Sequence, residues 1–422
     1  MTTTSARGAD SAAAVAVAVN ADADNPDADN PDADNPGEAC TDHVHTGDVH
    51  TGHVHTGDVH TGQVNADEGA TYAAARERSA VLDQLIDEQA AGHPERFRVL
   101  TGDRPTGPLH VGHYLASLRN RVRLQDKGVE TFIVIPDYQV ITDRDGVGAI
   151  GEHVHGLILD YLAAGIDPER TTIFSHSAVP ALNQLMLPFL ALTTEAELRR
   201  NPTVKDELEL SGGRPLSGLL LTYPVHQAAD ILFCHGRVVP VGRDQLPHLE
   251  QTRAIARRFN QRYAAGQRIF SEPEALLSDV PLLLGTDGAK MSKSRGNVIN
   301  LRDTADETAA RIRGARTDSQ RRITFEPKDR PEVANLLVLA GLFLGEAPES
   351  IAERVGEGGA QALKQVVTEA VNDGLRDHRA RRAELERDPG YVVGVLRDGN
   401  ARANVVAERT LATVREVMGM AY

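Results

Sequence analysis

Thr101-Gly102-Asp103-Arg104-Pro105-Thr106-Gly107-Pro108-Leu109-His110-Val111-Gly112-His113 is the stretch from which the fold is read. Phe97 to Leu100, just before it, is a short apolar run suited to a buried parallel strand. His110 to Asp126, just after it, keeps apolar residues at helical spacing, with Leu115, Leu118, Val122 and Leu124 inward. A glycine-rich turn between strand and helix presents backbone N–H groups and the positive helix end to an anion, which suits phosphate. His110 and His113 stand three apart in the first helical turn, so both imidazoles share one face. Two donors aimed at one spot suit charge developing on a phosphoryl group.

Thr131 to Pro136 and Thr171 to Phe174 read as further strands, separated by a turn through Asp137 and a long helical stretch ending near Gly165. Strands alternating with helices predict an α/β fold, a Rossmann-like doubly wound parallel sheet with its ligand crevice at the strands' carboxyl ends. Pro180 to Leu220 reads as mainly helical, with a helix start at Thr194 to Glu197 and a break at Gly212-Gly213-Arg214-Pro215. Thr222 to Leu232 follows as a helix begun by Pro224. Gln227 and Asp230 share one face of it, and an aspartate on an apolar helix is costly unless it meets a donor. Arg237 to Val241 is a strand that ends in a second glycine turn, Gly242-Arg243-Asp244-Gln245.

A second signature comes about 180 residues after the histidines. Gly288-Ala289-Lys290-Met291-Ser292-Lys293-Ser294-Arg295-Gly296-Asn297 places two lysines three apart among serines and between glycines. That is a flexible cationic loop able to fold over a polyphosphate. Residues 301–422 read as helical, for example Val333 to Leu344 and Val366 to Glu386. They carry one arginine cluster at Arg311, Arg313, Arg316, Arg321 and Arg322 and another at Arg376, Arg379, Arg381 and Arg382.

The 422 residues predict two or three domains, and no apolar run is long enough to span a membrane. Cys40 and Cys234 give no disulfide framework, so a reducing cytoplasm is expected. The net charge of −15 is unevenly placed: residues 1–70 hold 11 Asp, 2 Glu and 1 Arg, or −12, leaving −3 for the rest. The folded part is thus close to neutral, and nucleic acid is not excluded as a partner. The N-terminal stretch repeats DADNP three times over Asp22 to Pro36 and V-H-T-G-x four times over Val44 to Gln63. It is read as a disordered tail whose histidines (His43, His45, His50, His53, His55 and His60) are better explained as a solvated repeat than as metal ligands. Ordered structure is expected from about Tyr72, with Ala73 to Ala91 as a helix.

Taken together, the two signatures resemble those of class I aminoacyl-tRNA synthetases: His110 to His113 matches the HIGH motif and Lys290 to Ser294 is KMSKS letter for letter. Within that class the chain resembles the tryptophanyl-tRNA synthetases, through GxxPTG before the histidines, YLAAGIDP at Tyr161 to Pro168, TYPVHQAADIL at Thr222 to Leu232 and VPVGRDQLPHLEQTR at Val239 to Arg253. The resemblance implies that tryptophan attacks the α-phosphate of ATP, with Mg²⁺, and that the acyl group then passes to tRNA(Trp). It makes His110, His113, Lys290 and Lys293 catalytic. Arg104, Pro105, Thr106, Gly112, Gly242, Arg243, Asp244, Pro281, Met291, Ser292 and Ser294 complete the ATP site. Asp230 accepts the indole N–H, with Gln227 and Gln139 beside it; no protein-bound metal is expected.

Four regions are expected: a tail at 1–70 and an extension helix at 71–96, both outside the resemblance, and, as the resemblance implies, a catalytic domain at 97–300 with a helical insertion at about 180–222 and a helical anticodon-binding domain at 301–422. A homodimer is expected. Many tryptophan enzymes of the group place Gln, Met, Glu and His where Arg104, Gln227, Arg243 and Gln139 stand here, which suggests a divergent, auxiliary form with altered sensitivity to indole-like inhibitors. Gln227 with Asp230 also resembles the phenol-gripping pair of tyrosine enzymes, so tyrosine is the rival substrate. A small-molecule nucleotidyltransferase, or a paralogue with an added binding role, are the other readings.

Overall fold

The computed structural model describes residues 66–142, 148–205 and 216–422, excepting the side chains of 66–71 and Ser294. The repeats, the tail histidines, Cys40 and the Gly212 to Pro215 break lie outside the described residues. Five strands, β1 (Val99–Gly102), β2 (Thr131–Ile135), β3 (Thr171–Ser175), β4 (Val238–Val241) and β5 (Glu274–Leu277), form one parallel sheet in the order β3-β2-β1-β4-β5. The chain builds outward from β1 through β2 to β3, then returns to the other side of β1 for β4. Between β1 and β4 the winding reverses, and such reversals open the ligand crevice of doubly wound sheets.

β1 starts two residues later than its apolar run, because Phe97 lies in a 3-10 turn, Pro94–Phe97, and packs with Ile86 and Leu124 instead. β5 was not foreseen: Glu274-Ala275-Leu276-Leu277 has no β-branched residue and owes its extension to the ladder with β4.

The helices are α1 (Ala66–Gln89), α2 (111–126), α3 (Ile150–Ala164), α4 (Pro180–Leu190), α5 (Glu195–Arg200), α6 (Gly218–Phe233), α7 (Leu246–Arg262), α8 (Ala305–Arg313), α9 (Pro331–Leu344), α10 (Pro348–Val355), α11 (Gly359–Gly374), α12 (Arg376–Leu385) and α13 (Pro389–Val417). α3 ends at Gly165, whose φ of 107° only glycine adopts readily. α6 starts at Gly218, after its Ser217 cap and six residues ahead of Pro224, since Leu220 extends the buried face. Pro224 therefore sits inside the helix rather than opening it. The run from Val366 to Glu386 is two helices, parted where Gly374 lies so close to the Phe343 ring that a Cβ would stand 2.2 Å from it.

Apolar side chains cover the sheet on both faces: Leu115, Ile133 and Leu157 belong to one core, Phe132, Phe174 and Phe233 to the other. Both sheet edges are closed by helices, which removes sites for stray pairing. Ser79 of α1 accepts the Leu277 N–H of β5 at 2.8 Å, and α13 lies so close on β3 that a Cβ on Gly399 would meet Ile173 O at 1.8 Å. The last helix thus returns to the sheet, and the described residues make one compact unit. Among the described residues no single helix is long and apolar enough to cross a membrane.

Candidate active site

The sheet reversal opens a cavity of about 270 Å³ at the carboxyl ends of β1 and β4. Arg104 after β1, Gln139 after β2, Gln227 and Asp230 from α6, and Gly242 after β4 all line it. Gln139 and Asp230 are 9% and 2% exposed. The Gln227 amide approaches Gln245 Oε1 at 3.5 Å. The three side chains expected around the amino acid therefore share one enclosure.

The histidine turn is built differently from a plain first helical turn. His110 is the cap of α2, outside the helix, with φ −124° and ψ 171°. Its Nδ1 accepts the Gly112 N–H at 3.2 Å, and His113 Nδ1 accepts the His110 N–H at 3.3 Å. The reciprocal cap uses Nδ1 of each ring as acceptor, so each neutral imidazole carries its proton on Nε2, ready to donate. A Cβ on Gly112 would stand 3.0 Å from the His110 ring, which explains the glycine. The ring centroids are 3.8 Å apart. Burial pulls His110 down to about 3, helped by His113 and Lys293. Burial also pulls His113 down to about 4, against the pull of Asp103. Both are neutral donors near pH 7. The next residues, Tyr114–Leu118, form a π-helical turn, a feature frequent beside functional sites.

Under the turn lies a buried group that sequence reasoning did not select. Asp103 accepts from Arg121 Nη1 at 2.6 Å and from the Tyr161 hydroxyl at 2.9 Å. Burial pushes the Asp103 carboxyl up, but Arg121, His113 and the two hydrogen bonds outweigh it and hold it at about 2. The available signal was Arg121 itself, one helical turn after Leu118 on the inward stripe of α2.

The cationic loop meets this turn through backbone pairing. Val111 N–H donates to Ile299 O and Leu301 N–H to Leu109 O, each at 2.9 Å, with His110 opposite Asn300. Lys293 Nζ donates to Gly107 O at 3.0 Å, and a Cβ on Gly112 would stand 3.5 Å from Met291 Sδ. Asn297, 4% exposed, shapes the loop: Oδ1 accepts the Ser292 N–H at 2.8 Å, while Nδ2 donates to Asp287 Oδ1 at 2.7 Å and to Lys290 O at 3.1 Å. Its place at the end of the lysine signature does not by itself announce this role. Lys290 is exposed on the opposite limb, where Leu284 and Lys290 pair. Ser294 lies in the turn Lys293–Arg295.

The remaining expected residues are more peripheral. Pro105 and Thr106 form the turn between strand and histidines, with Pro105 O 3.2 Å from His153 Nδ1. Arg243 and Asp244 are exposed; the Arg243 guanidinium lies 4.9 Å from the Tyr72 ring of α1, and Asp244 accepts from Gln245 Nε2 at 2.9 Å. Pro281 is exposed on the segment between β5 and the loop, outside the cavity wall.

Two of the C-terminal arginines are internal struts. Arg382 pairs with Asp160 at 2.9 Å, and Arg379 donates to Thr308 and Asn372, each at 2.8 Å. Asp160 also accepts the Leu109 N–H, next to His110; burial lifts its carboxyl to about 6 despite Arg382 and that bond. Arg381 stays exposed. Arg311 and Arg316 of the first cluster pair with Asp303 at 2.8 Å and Glu332 at 3.3 Å.

A family model described as tRNA synthetases class I (W and Y) matches residues 93–376. Tryptophan–tRNA ligases of Treponema pallidum (strain Nichols) and Clostridium longisporum are 41% and 40% identical, each match covering 77% of this chain and 97% of the relative. The crystal structure of a tryptophanyl-tRNA synthetase from Campylobacter jejuni, complexed with ADP and tryptophan, superposes with a TM-score of 0.67 at 30% identity, covering 76% of this chain and 99% of that one.

Proposed function

Because the chain belongs to the tRNA synthetases class I (W and Y), we propose that it attaches L-tryptophan to tRNA(Trp), forming tryptophanyl-adenylate from ATP, releasing pyrophosphate, and then transferring the acyl group with release of AMP. The observation that supports this reading is the backbone pairing of 109–111 with 299–301, which sets the histidine turn beside the segment that follows the cationic loop, while Asp103 and Arg104, just before that turn, share a cavity wall with Asp230.

In this reading the tryptophan carboxylate attacks the α-phosphorus in line and pyrophosphate leaves. The Nε2–H groups of His110 and His113 donate to the phosphoryl oxygens as charge develops, and Lys290 and Lys293 neutralise the departing pyrophosphate. Arg104, Gly112, Gly242 and the Ser292 to Ser294 turn contribute the rest of the nucleotide site. Asp230 accepts the indole N–H, with Gln139 and Gln227 completing that wall. When bound, Mg²⁺ would add charge neutralisation on the triphosphate. Asp103, the carboxylate under the histidines, is already engaged by Arg121 and Tyr161, a donor set that fits an ion arriving on ATP's own oxygens better than a protein-held one. A homodimer, a cytoplasmic location and anticodon contacts from residues 301–422 belong to the same proposal.

The test is isotopic exchange of pyrophosphate into ATP, followed by charging of tRNA(Trp). Exchange should depend on tryptophan; exchange driven by tyrosine, or none, would overturn the reading.

A further inference from the structure

Asp230 does not stand alone behind the cavity. Its Oδ1 lies 2.7 Å from Nε2 of His176, the residue after β3, and the two side chains are 3% and 0% exposed. The His226 ring packs on His176 with centroids 4.3 Å apart. Asn183 gives both of its amide hydrogens to carbonyls, His176 O at 2.9 Å and Val179 O at 3.2 Å, so its Oδ1, 2.7 Å from His226 Nε2, is the acceptor there. His226 is thereby the Nε2–H tautomer with a bare Nδ1. A carboxylate can only accept, so His176 must present Nε2–H to Asp230. The contact is at charge-pair distance yet bent away from hydrogen-bond alignment, leaving His176 Nε2 and Asp230 Oδ1 without a directional partner.

Donor atoms of His176, His226 and Asp230 all lie within 4.8 Å of one another, a grouping that also resembles a metal site. The 2.7 Å contact argues against one, because two ligands on a tetrahedral zinc stand about 3.3 Å apart at ordinary bond lengths.

We propose that His176 is a positioning residue for substrate selection: with Nε2 packed 2.7 Å from Oδ1 in a fully buried pair, it fixes the Asp230 carboxylate with its other oxygen presented to the cavity, as the acceptor for a heteroaromatic N–H. This rests on the tryptophan reading above and deepens it. A buried acceptor fixed in this way rejects a ring that lacks the donor, since binding such a ring leaves the acceptor desolvated and unpaired. Neither His176 nor His226 stood out in the sequence, where each is one histidine among 16.

The test compares tryptophan with β-(benzothiophen-3-yl)alanine, which replaces the indole N–H by sulfur, in the exchange reaction of the wild type and of His176→Gln, His176→Asn and His176→Phe. Gln reaches Oδ1 with an amide N–H, whereas Asn ends short and Phe has no donor. The wild type and His176→Gln should prefer tryptophan strongly. His176→Asn and His176→Phe should lose about tenfold or more of that preference through KM for tryptophan, with KM for ATP within about twofold.

Preference retained in the Asn and Phe variants would overturn the proposal. So would a parallel rise of both KM values in all three variants, or stoichiometric zinc in the purified wild-type protein. A wild type that shows no tryptophan-dependent exchange fails the parent reading instead, so the two failures are distinguishable. The chain has no Trp, so fluorescence of bound tryptophan gives a second measure of affinity for any variant with low turnover.

Discussion

At the scale of single residues, the site depends on two imidazoles whose protons are placed by backbone. The Gly112 N–H and the His110 N–H occupy Nδ1 of His110 and His113, so neither ring needs to be charged to act. Removing one such donor, as in His110→Ala, should lower kcat for pyrophosphate exchange about 10²–10³-fold and leave tryptophan affinity near its original value; stopped-flow and fluorescence titration would measure the two. Gly112→Ala should have a comparable effect on kcat, because the added methyl meets the His110 ring at 3.0 Å. These motif residues were legible because phosphate chemistry dictates both residue type and spacing. Asp103, Arg121 and Tyr161 were not, since their partnership joins positions 18 and 58 apart that no local pattern links.

At the scale of elements, β2, β3, α3 and α9 follow from apolar patterning; the bounds of β2, β3 and α9 and the C-terminal end of α3 were legible to within a few residues. β5 was hidden because its extension comes from β4 rather than from its own side chains. The start of α6 was missed for the opposite reason, a local proline signal overridden by the buried Leu220 and the Ser217 cap. In α12 two neighbouring arginines fall in one sequence cluster, yet Arg382 braces Asp160 under the histidine turn while Arg381 faces outward.

The two arginines of α12 should therefore separate. Arg381→Glu should weaken tRNA binding alone. Arg382→Glu should also slow exchange and destabilise the fold by about 3–5 kcal/mol, the usual cost of breaking a buried pair from one side. Filter binding, exchange assays and denaturant melts would check both.

At the scale of the whole molecule, stability should be sensitive to acid. Burial holds His110 at about 3 and His113, His248 and His378 at about 4, all below the ordinary 6.5. A group depressed in this way contributes stability that is complete above 6.5 and is lost as pH falls toward 4. Asp160 works in the other direction: raised from 3.8 to about 6, it penalises the fold above pH 6 and relaxes that penalty as pH falls to 3.8. Melting temperature should thus drop between pH 6.5 and 4, and more steeply in Asp160→Asn, where the offset is gone; thermal melts across that range would show it.

The doubly wound architecture was legible from strands alternating with helices. The return of α13 onto β3 was not, because a helix's own pattern does not say which surface it will cover. For segments almost two hundred residues apart to act on one triphosphate, Lys293 must contribute to adenylate formation, and the single-turnover rate of that step in Lys293→Ala is the decisive measurement. A fall of about 100-fold or more, with unchanged acyl transfer from preformed adenylate, is predicted; a rate equal to that of the unsubstituted protein would contradict it.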